Sequence, residues 1–467
     1  MKNKISVFFL FFLLIKNVLD KSTSIEINFN RISSMNNEDI ILSNYNFDIF
    51  ISFQIGDQKE KIEKIFIKSD TNEFMLSKYS SSSNSNKYDP ELSSSSKKIV
   101  YLKSYQLKYT SRASIYKDIF FLSDSMTKEL TKFNDISFLY ADSLKSEAYP
   151  GILGLQLVEN DIKNAKPFPS QFNDLKYSEN ATWMIKYNND EEGYFYIGDI
   201  LNEYVFPGFN FEKYRKTNAV VYGNYLSWDL VFSQIKSDDI ILNGPMQAFL
   251  DFNFGLISCS NEYFNLIKKE FFHGYIEKGK CNELFYNKQN INNKIKINSN
   301  FSYIVCDKSI DIEDFPELIF THSALDYKFK LTYDDVFVSS NDILYFLIIN
   351  ETEKNDRWKL GKIFFQKYNI IFDHNAKTIG IYDNIYSKSK IALIIFEWII
   401  AILLIMVAFF LAYTLIKRYR LNNYKFFMNK VQVNEMEENY NQFFGSDKDN
   451  NKHIEVEKNT ENKILDK

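Results

Sequence analysis

A long apolar segment near the C-terminal end, 391–416, constrains this chain more than any other feature of its sequence. Glu397 is its one charged residue, and at the helical rise it is long enough to cross the roughly 30 Å hydrocarbon layer of a membrane. A basic cluster follows at 417–420, and such clusters favour the cytosolic side. The sequence therefore predicts a transmembrane helix at 391–416 and a cytosolic tail at 417–467, which is expected to be largely flexible from Leu421 onwards.

The N-terminal end carries a second targeting signal. Lys2 and Lys4 precede an apolar run at 5–15, which is the layout of a secretory signal peptide over residues 1–20. A single-pass type I protein of the secretory pathway or the cell surface is expected, with its N-terminal domain luminal or extracellular. N-glycosylation tripeptides in this domain begin at Asn180, Asn300 and Asn350.

The composition of the chain favours β-structure. Its 467 residues include only 14 glycines and 7 prolines but 44 phenylalanines and 31 tyrosines, and aromatic residues are enriched in strands. The net charge of −4 gives no basic field for nucleic acid. The 3 cysteines and 4 histidines form neither a CxxC nor a HExxH motif, so no metal and no cofactor are expected.

Apolar runs around a glycine recur in the two halves of the luminal region, at 152–155 and 360–364. Read in order with their neighbours, these segments resemble the pepsin family of aspartic peptidases over roughly residues 45–383. The matching blocks, in chain order, are Pro150–Leu155 (D-G-I-L-G-L in the family), Gly193–Gly198 (G-x-L-x-L-G), Phe315–Phe320 (L-P-x-I-x-F) and Trp358–Asp373 (W-I-L-G-D-x-F-x-x-x-Y-x-x-x-F-D).

The resemblance implies a mostly β, bilobal pepsin-like fold at 45–385, with two β-rich lobes around a central cleft. The lobes are expected at about 45–205 and 206–385, and 21–44 is expected to be a short N-terminal segment. Together with the C-terminal transmembrane helix, this is the predicted architecture of the chain.

The family's chemistry requires two carboxylates that share a water molecule, one ionised and one protonated. Each lobe supplies one from a D-T-G loop. In the second lobe Asp251 follows three apolar residues, as the family pattern demands. In the first lobe, laying the pattern without gaps onto 74–77 places Ile67 at the acid, so the first carboxylate is expected to be missing.

Asp70 is the alternative first-lobe acid, since Asp70-Thr71-Asn72 superficially resembles D-T-G. This choice requires a slip of three residues and places polar residues where an apolar strand should precede the acid. The second loop is altered too, because Phe252 and Asn253 stand where the family has Thr and Gly.

Two further features follow from the resemblance. Tyr109 corresponds to the tyrosine of the mobile hairpin that covers the cleft, and it is expected either to contact substrate or to be an ordinary strand aromatic. Cys281 and Cys306 are expected to form a second-lobe disulfide, leaving Cys259 free.

The sequence thus predicts a membrane-anchored member of the aspartic peptidase family that is catalytically inactive or impaired. Its cleft is expected to bind an extended peptide or protein by strand pairing. The alternative is an active aspartic endopeptidase that uses Asp251 with Asp70 in an acidic secretory or lysosome-like compartment. A purely structural or adhesive ectodomain is the third possibility.

Overall fold

A computed structural model describes the fold of much of the chain. The described residues are 24–33, 40–45, 47–78, 88–103, 110, 112–141, 150–157, 166–287, 299–352, 357–383 and 388–444. The predicted signal peptide, Tyr109 and the chain beyond 444 lie outside them. The chain divides into two compact units, Met1–Asn384 and Ile385–Lys467, which are described separately.

Strands dominate the first unit. In chain order they are β1 (Ile25–Ser33), β2 (Phe47–Ile55), β3 (Glu60–Lys68), β4 (Phe74–Ser77), β5 (Lys97–Lys103), β6 (Arg112–Ser123), β7 (Leu130–Ala141), β8 (Gly151–Gly154), β9 (Thr182–Tyr187), β10 (Glu192–Gly198), β11 (Tyr214–Asn218), β12 (Val220–Tyr222), β13 (Tyr225–Ser227), β14 (Asp229–Ser237), β15 (Ile240–Leu250), β16 (Ile257–Cys259), β17 (Cys281–Tyr286), β18 (Phe301–Asp307), β19 (Leu318–His322), β20 (Tyr327–Leu331), β21 (Phe337–Ser340), β22 (Ile343–Phe346), β23 (Ile348–Glu351), β24 (Trp358–Leu360), β25 (Asn369–Asp373) and β26 (Thr378–Tyr382).

Helices are short in this unit. They are α1 (Ile40–Tyr45), α2 (Phe168–Asp174), a 3-10 turn (Phe211–Lys213), α3 (Asn261–Ile267), a π-helical turn (Lys268–Phe272), α4 (His273–Glu277), α5 (Tyr333–Val336) and α6 (Lys362–Lys367). The mostly β class predicted from composition is confirmed.

Two large sheets organise the strands. One has 13 strands in the order β11-β26-β25-β9-β10-β1-β2-β3-β8-β4-β7-β6-β5. The other has 11 strands in the order β20-β19-β14-β15-β24-β16-β23-β18-β22-β21, with β17 paired to β18. The first sheet thus combines the N-terminal half of the unit with strands from its C-terminal end, while the second is built from residues 229–360.

Alternation of apolar and polar residues explains why these segments form half-buried strands. In β2, every second side chain from Phe47 to Ile55 is buried, and the residues between them are partly or fully exposed. The first strand, β1, pairs with both β10 and β2. The segment 21–44, expected to precede the domain, therefore contributes a strand to its sheet.

The second unit is a single long helix, α7 (Lys388–Phe444). Within its stretch Ile402–Asn439, a window of 18 residues has a mean hydropathy of 1.8 and no burial inside the protein, so the helix is long and apolar enough to cross a membrane. The apolar C-terminal helix is thus confirmed. It continues past the predicted span to Phe444, so the expectation of a largely flexible chain from Leu421 is wrong for 421–444, where long-chain residues favour helix.

Candidate functional site

Two loops of the first unit have the same strand arrangement around them. The first loop is residues 68–73, from the last residue of β3 to the start of β4, and the second loop is residues 251–256, between β15 and β16. Before each loop, the strand runs parallel to a short strand that contains a leucine: β3 runs along β8, which contains Leu153, and β15 runs along β24, which contains Leu360. After each loop, the chain returns antiparallel to the same short strand.

The strand register shows which residues of the two loops correspond. Leu153 lies between Ile67 and Phe74 in the first sheet. In the second sheet, Leu360 is flanked in the same way by Leu250 and Ile257. Because the two loops are equal in length, Lys68 corresponds to Asp251, and Asp70 corresponds to Asn253.

The prediction that Ile67 replaces the first-lobe acid is therefore wrong by one residue. Ile67 is fully buried and pairs with Leu153, which makes it the counterpart of the apolar residue before the acid. Phe74 pairs with Leu153 as Ile257 pairs with Leu360, so the first loop ends at residue 73. The position of the acid therefore lies one residue later than the pattern laid onto 74–77 placed it. The residue that stands in the position of the acid is Lys68.

A glycine contacts the backbone of each loop. A Cβ on Gly154 would overlap the backbone of Thr71, and one on Gly361 would overlap the carbonyl of Phe254. These close approaches explain why glycine occurs after both leucines, where the sequence analysis found its repeated pattern. The scaffold around the two loops is therefore the same.

Asp251 is the acid that the structure places at the junction of the loops. Its Oδ1 accepts hydrogen bonds from the Ser69 hydroxyl at 2.6 Å and from the Asn253 backbone N–H at 3.0 Å. Burial raises the pKa of Asp251 above its ordinary value, although the positive charge of Lys359 and these hydrogen bonds act to lower it. The negative charge of Asp70 adds to the upward shift.

Lys68 turns towards its own lobe. Its ammonium forms an ion pair with Asp48 of β2, and its side chain is only 12% exposed. Asp70, two residues further on, is exposed. The side chain of the first loop that hydrogen-bonds Asp251 is that of Ser69, a residue that the sequence analysis did not single out as functional.

Asn253 joins the two loops. Its side-chain oxygen accepts from the Ser69 N–H at 2.9 Å, and its amide nitrogen donates to the Ile67 carbonyl at 3.0 Å. Its backbone carbonyl accepts from the Phe47 N–H at 3.1 Å. Asn253 stands where the family has Gly, and its amide supplies a bridge to the opposite loop. This role is visible only once the strand register of the two loops is known. In the sequence alone, an asparagine in place of the family's glycine indicates only a lost loop residue.

Phe252, the bulky replacement in the second loop, is buried between aromatic rings. Its ring centre lies 5.8 Å from that of Trp183 and 6.3 Å from that of Phe365, both in edge-to-face arrangements. Its carbonyl accepts a hydrogen bond from the hydroxyl of Tyr187. The ring thus packs into the core beneath the loop and stays out of the space around Asp251.

Behind the second loop lies a buried polar cluster that the sequence did not reveal. The Glu351 carboxylate accepts from the hydroxyls of Tyr45 and Ser299 and pairs with the Lys359 ammonium at 3.1 Å. Burial disfavours ionisation of Glu351, but Lys359 and the two hydroxyls outweigh it and hold the pKa of this carboxyl below its ordinary value. The Lys359 ammonium also lies 4.6 Å from the ring centre of Phe254.

The remaining predicted residues are placed as follows. A disulfide joins Cys281 to Cys306 across β17 and β18, and Cys259 is free and buried. Tyr109 is outside the described residues, so its contacts stay a prediction.

The predicted glycosylation sites differ in exposure. Asn180 is exposed, and Asn300 is partly exposed. Asn350 is only 8% exposed, and its amide donates to Asn261 at 3.0 Å. This placement argues against a glycan on Asn350 of the folded protein.

Comparison with known proteins adds one match. The family model described as eukaryotic aspartyl protease matches residues 52–383. No curated protein matches the chain.

Proposed function

Because this chain belongs to the eukaryotic aspartyl protease family, we propose that it is a membrane-anchored member without a catalytic pair. Its cleft holds an extended peptide or protein instead of cleaving it. The observation that carries this proposal is the register of the two loops, which puts Lys68 in the position that corresponds to Asp251.

The chemistry of the family explains why this exchange matters. Hydrolysis needs one carboxylate to take a proton from water and another to donate one. A lysine ammonium at the first position cannot act as that base, and Lys68 is engaged with Asp48. The Ser69 hydroxyl, which donates to Asp251, has no comparable acidity or basicity near neutral pH. One carboxylate thus remains where two are required.

Asp251 is still suited to binding. Among the described residues, none donates a hydrogen bond to its Oδ2, while Oδ1 is held by Ser69 and Asn253. An oriented, partly exposed carboxylate can accept a backbone N–H or a basic side chain of a bound peptide. We place the ligand's contact at this oxygen, with Tyr109 of the covering hairpin as its second expected contact.

One observation favours an active enzyme as the second candidate. The charge of Asp70 acts on Asp251, so the two carboxylates are close enough to interact electrostatically. Asp70 is exposed and corresponds to Asn253, whose side chain bridges the loops. An active endopeptidase would have to turn Asp70 inwards from this position.

A cleavage assay separates the two candidates. The full-length protein in detergent, incubated with a mixed peptide library from about pH 3 to about pH 7, should show no cleavage that Asp251→Asn abolishes. Asp70→Asn is the matched control. Cleavage that is lost in both variants would contradict the proposal and establish the Asp70–Asp251 pair.

Binding is tested with photo-reactive peptides from the same library. We expect crosslinks near Asp251 and Tyr109, and weaker crosslinking in Asp251→Ala than in the wild type. Crosslinks confined to the outer surface of both lobes would contradict a peptide-binding cleft and favour an adhesive role.

Type I topology in the secretory pathway or at the cell surface is the third part of the proposal. The apolar helix α7 and the Cys281–Cys306 disulfide, which suits an oxidising compartment, support it. In intact cells, a C-terminal tag should react with antibody only after permeabilisation. Staining without permeabilisation would place the tail outside and contradict this topology.

A further inference from the structure

The charged groups near Asp251 come from several elements. The positive charge of Lys359 on β24 acts to lower the pKa of Asp251, and the negative charge of Asp70 in the first loop acts to raise it. The charge of Asp251 in turn acts to raise the pKa of Tyr187 on β9. Lys68, the counterpart of Asp251, is paired with Asp48. Lys359 is therefore the cation among these groups whose charge favours the ionised form of Asp251.

Lys359 occupies an unusual position for a charged residue. It lies on β24 between two buried residues, Trp358 and Leu360, and the Leu360 carbonyl accepts the backbone N–H of Asp251 at 3.0 Å. The turn that starts at Asp251 closes with a 3.1 Å hydrogen bond from the Phe254 N–H to the Asp251 carbonyl. Lys359 packs over the ring of Phe254 at the end of this turn.

The ammonium of Lys359 is held in place from behind. Glu351 pairs with it at 3.1 Å, and Glu351 is fixed by the hydroxyls of Tyr45 and Ser299. Tyr45, Ser299 and Glu351 are all nearly inaccessible to solvent. A lysine on a surface would sample many rotamers, whereas this one has a buried, hydrogen-bonded partner on one side and an aromatic ring on the other.

We propose that Lys359 is a positioning residue that acts through its fixed charge to keep Asp251 ionised and ready to accept a ligand's hydrogen bond. It is clamped by Glu351, Tyr45 and Ser299. The ligand part of this statement rests on the proposed function, but the ionisation of Asp251 does not. Glu351 has a second, opposing effect, because its negative charge offsets part of the charge of Lys359.

The two members of this ion pair must therefore shift Asp251 in opposite directions. Lys359→Met removes a positive charge, so Asp251 should keep its proton to higher pH. Glu351→Gln removes a negative charge and retains an acceptor for the two hydroxyls, so Asp251 should lose its proton at lower pH. Damage to the fold alone would not produce shifts of opposite sign.

Protonation of Asp251 can be read without any peptide ligand. A water-soluble diazo compound esterifies protonated carboxyl groups: the acid proton moves to the diazo carbon, dinitrogen leaves, and the carboxylate oxygen forms the ester bond. Labelling of Asp251 in the full-length protein in detergent is quantified by mass spectrometry across pH, and the midpoint is compared between variants. Failure of peptide binding would leave this measurement unaffected.

We expect the midpoint to rise by roughly half a pH unit or more in Lys359→Met and to fall in Glu351→Gln. Lys359→Arg should keep the wild-type midpoint, and so should Lys308→Met, which removes an exposed lysine of the same lobe. An unmoved midpoint in a folded Lys359→Met protein, or a shift of both variants in one direction, would overturn the proposal. If Lys359→Met does not fold, the test rests on Glu351→Gln alone. A lower midpoint of Asp251 labelling in that variant supports the proposal, and an unchanged or higher midpoint overturns it.

Discussion

The first loop and the second loop have the same path and different chemistry. Both leave a strand parallel to β8 or β24, are contacted by a glycine, and return along the same short strand. Yet the residue of the first loop that corresponds to Asp251 is Lys68. The comparison teaches that the packing of a loop and its side-chain chemistry can vary separately, since the glycine contact is present at both loops and a carboxylate stands at the corresponding position in only one.

The bridge between the loops illustrates the same separation. Asn253 makes two hydrogen bonds to the backbone of the first lobe through one side chain. The joint between the lobes is therefore maintained by a residue that does not belong to the D-T-G pattern.

The largest effect is expected where the loops are alike. Gly361→Ala and Gly154→Ala would each force a Cβ into loop backbone, at a cost of about 3 kcal/mol or more in unfolding free energy. Gly274→Ala is the matched control, because nothing lies within 4 Å of its Cβ position and alanine favours its helix. Denaturant unfolding measures all three. A large loss in only one loop variant would break the structural equivalence of the loops.

The next effect concerns the core that both loops share. His374 is buried, and its Nδ1 accepts from the Trp183 indole at 3.2 Å. Burial lowers the pKa of His374 to about 4, below its ordinary 6.5. As the pH falls, His374 takes up a proton in the unfolded chain before it does so in the folded protein. About 3 kcal/mol of unfolding free energy is therefore lost as the pH falls from about 6.5 to about 4.

His374→Gln keeps an acceptor for the Trp183 indole and removes this titration. Its stability should depend less on pH across that window than the stability of the wild type, as measured by denaturant unfolding at several pH values. Equal pH profiles for the two proteins would contradict the buried, neutral histidine.

A smaller effect distinguishes the bridge from its partner. Asn253→Ala leaves the Ser69 N–H and the Ile67 carbonyl without their side-chain partner, and should cost about 2 kcal/mol or more. Ser69→Ala removes only the hydroxyl that donates to Asp251 and should cost about 1 kcal/mol. A larger loss for Ser69→Ala would mean that the Asp251 contact, and not Asn253, joins the lobes.

The smallest effect is expected at Asp251 itself, and its size depends on pH. Because its pKa is raised in the folded protein, the folded state binds the proton more tightly than the unfolded state does. Above the pKa of Asp251 in the folded protein, the buried carboxylate is charged and lowers the free energy of unfolding. This loss disappears as the pH falls towards the ordinary pKa of an aspartate. Asp251→Asn should melt above the wild type at neutral pH, with a difference that shrinks in acid. A constant difference would contradict the raised pKa.

Much of the fold was predictable from local pattern, because the glycine-containing runs and the alternating strands are set by nearest neighbours. Asp251 was identifiable for the same reason, since three apolar residues precede it in its strand. The first loop was misplaced by one residue because the residue that pairs with Leu153 after the loop, Phe74, is known only from the strand register. Asn253 and Lys359 were missed because their partners are distant in sequence and known only once the sheets are formed.

A crystal structure of the protein around the Asp251 carboxylate tests the central claim most directly. We predict that the Ser69 hydroxyl lies on Oδ1, that Lys68 pairs with Asp48, and that no second carboxylate oxygen lies within hydrogen-bonding distance of Asp251. A carboxylate of Asp70 hydrogen-bonded to Asp251 would contradict the account and restore the pair that hydrolysis requires.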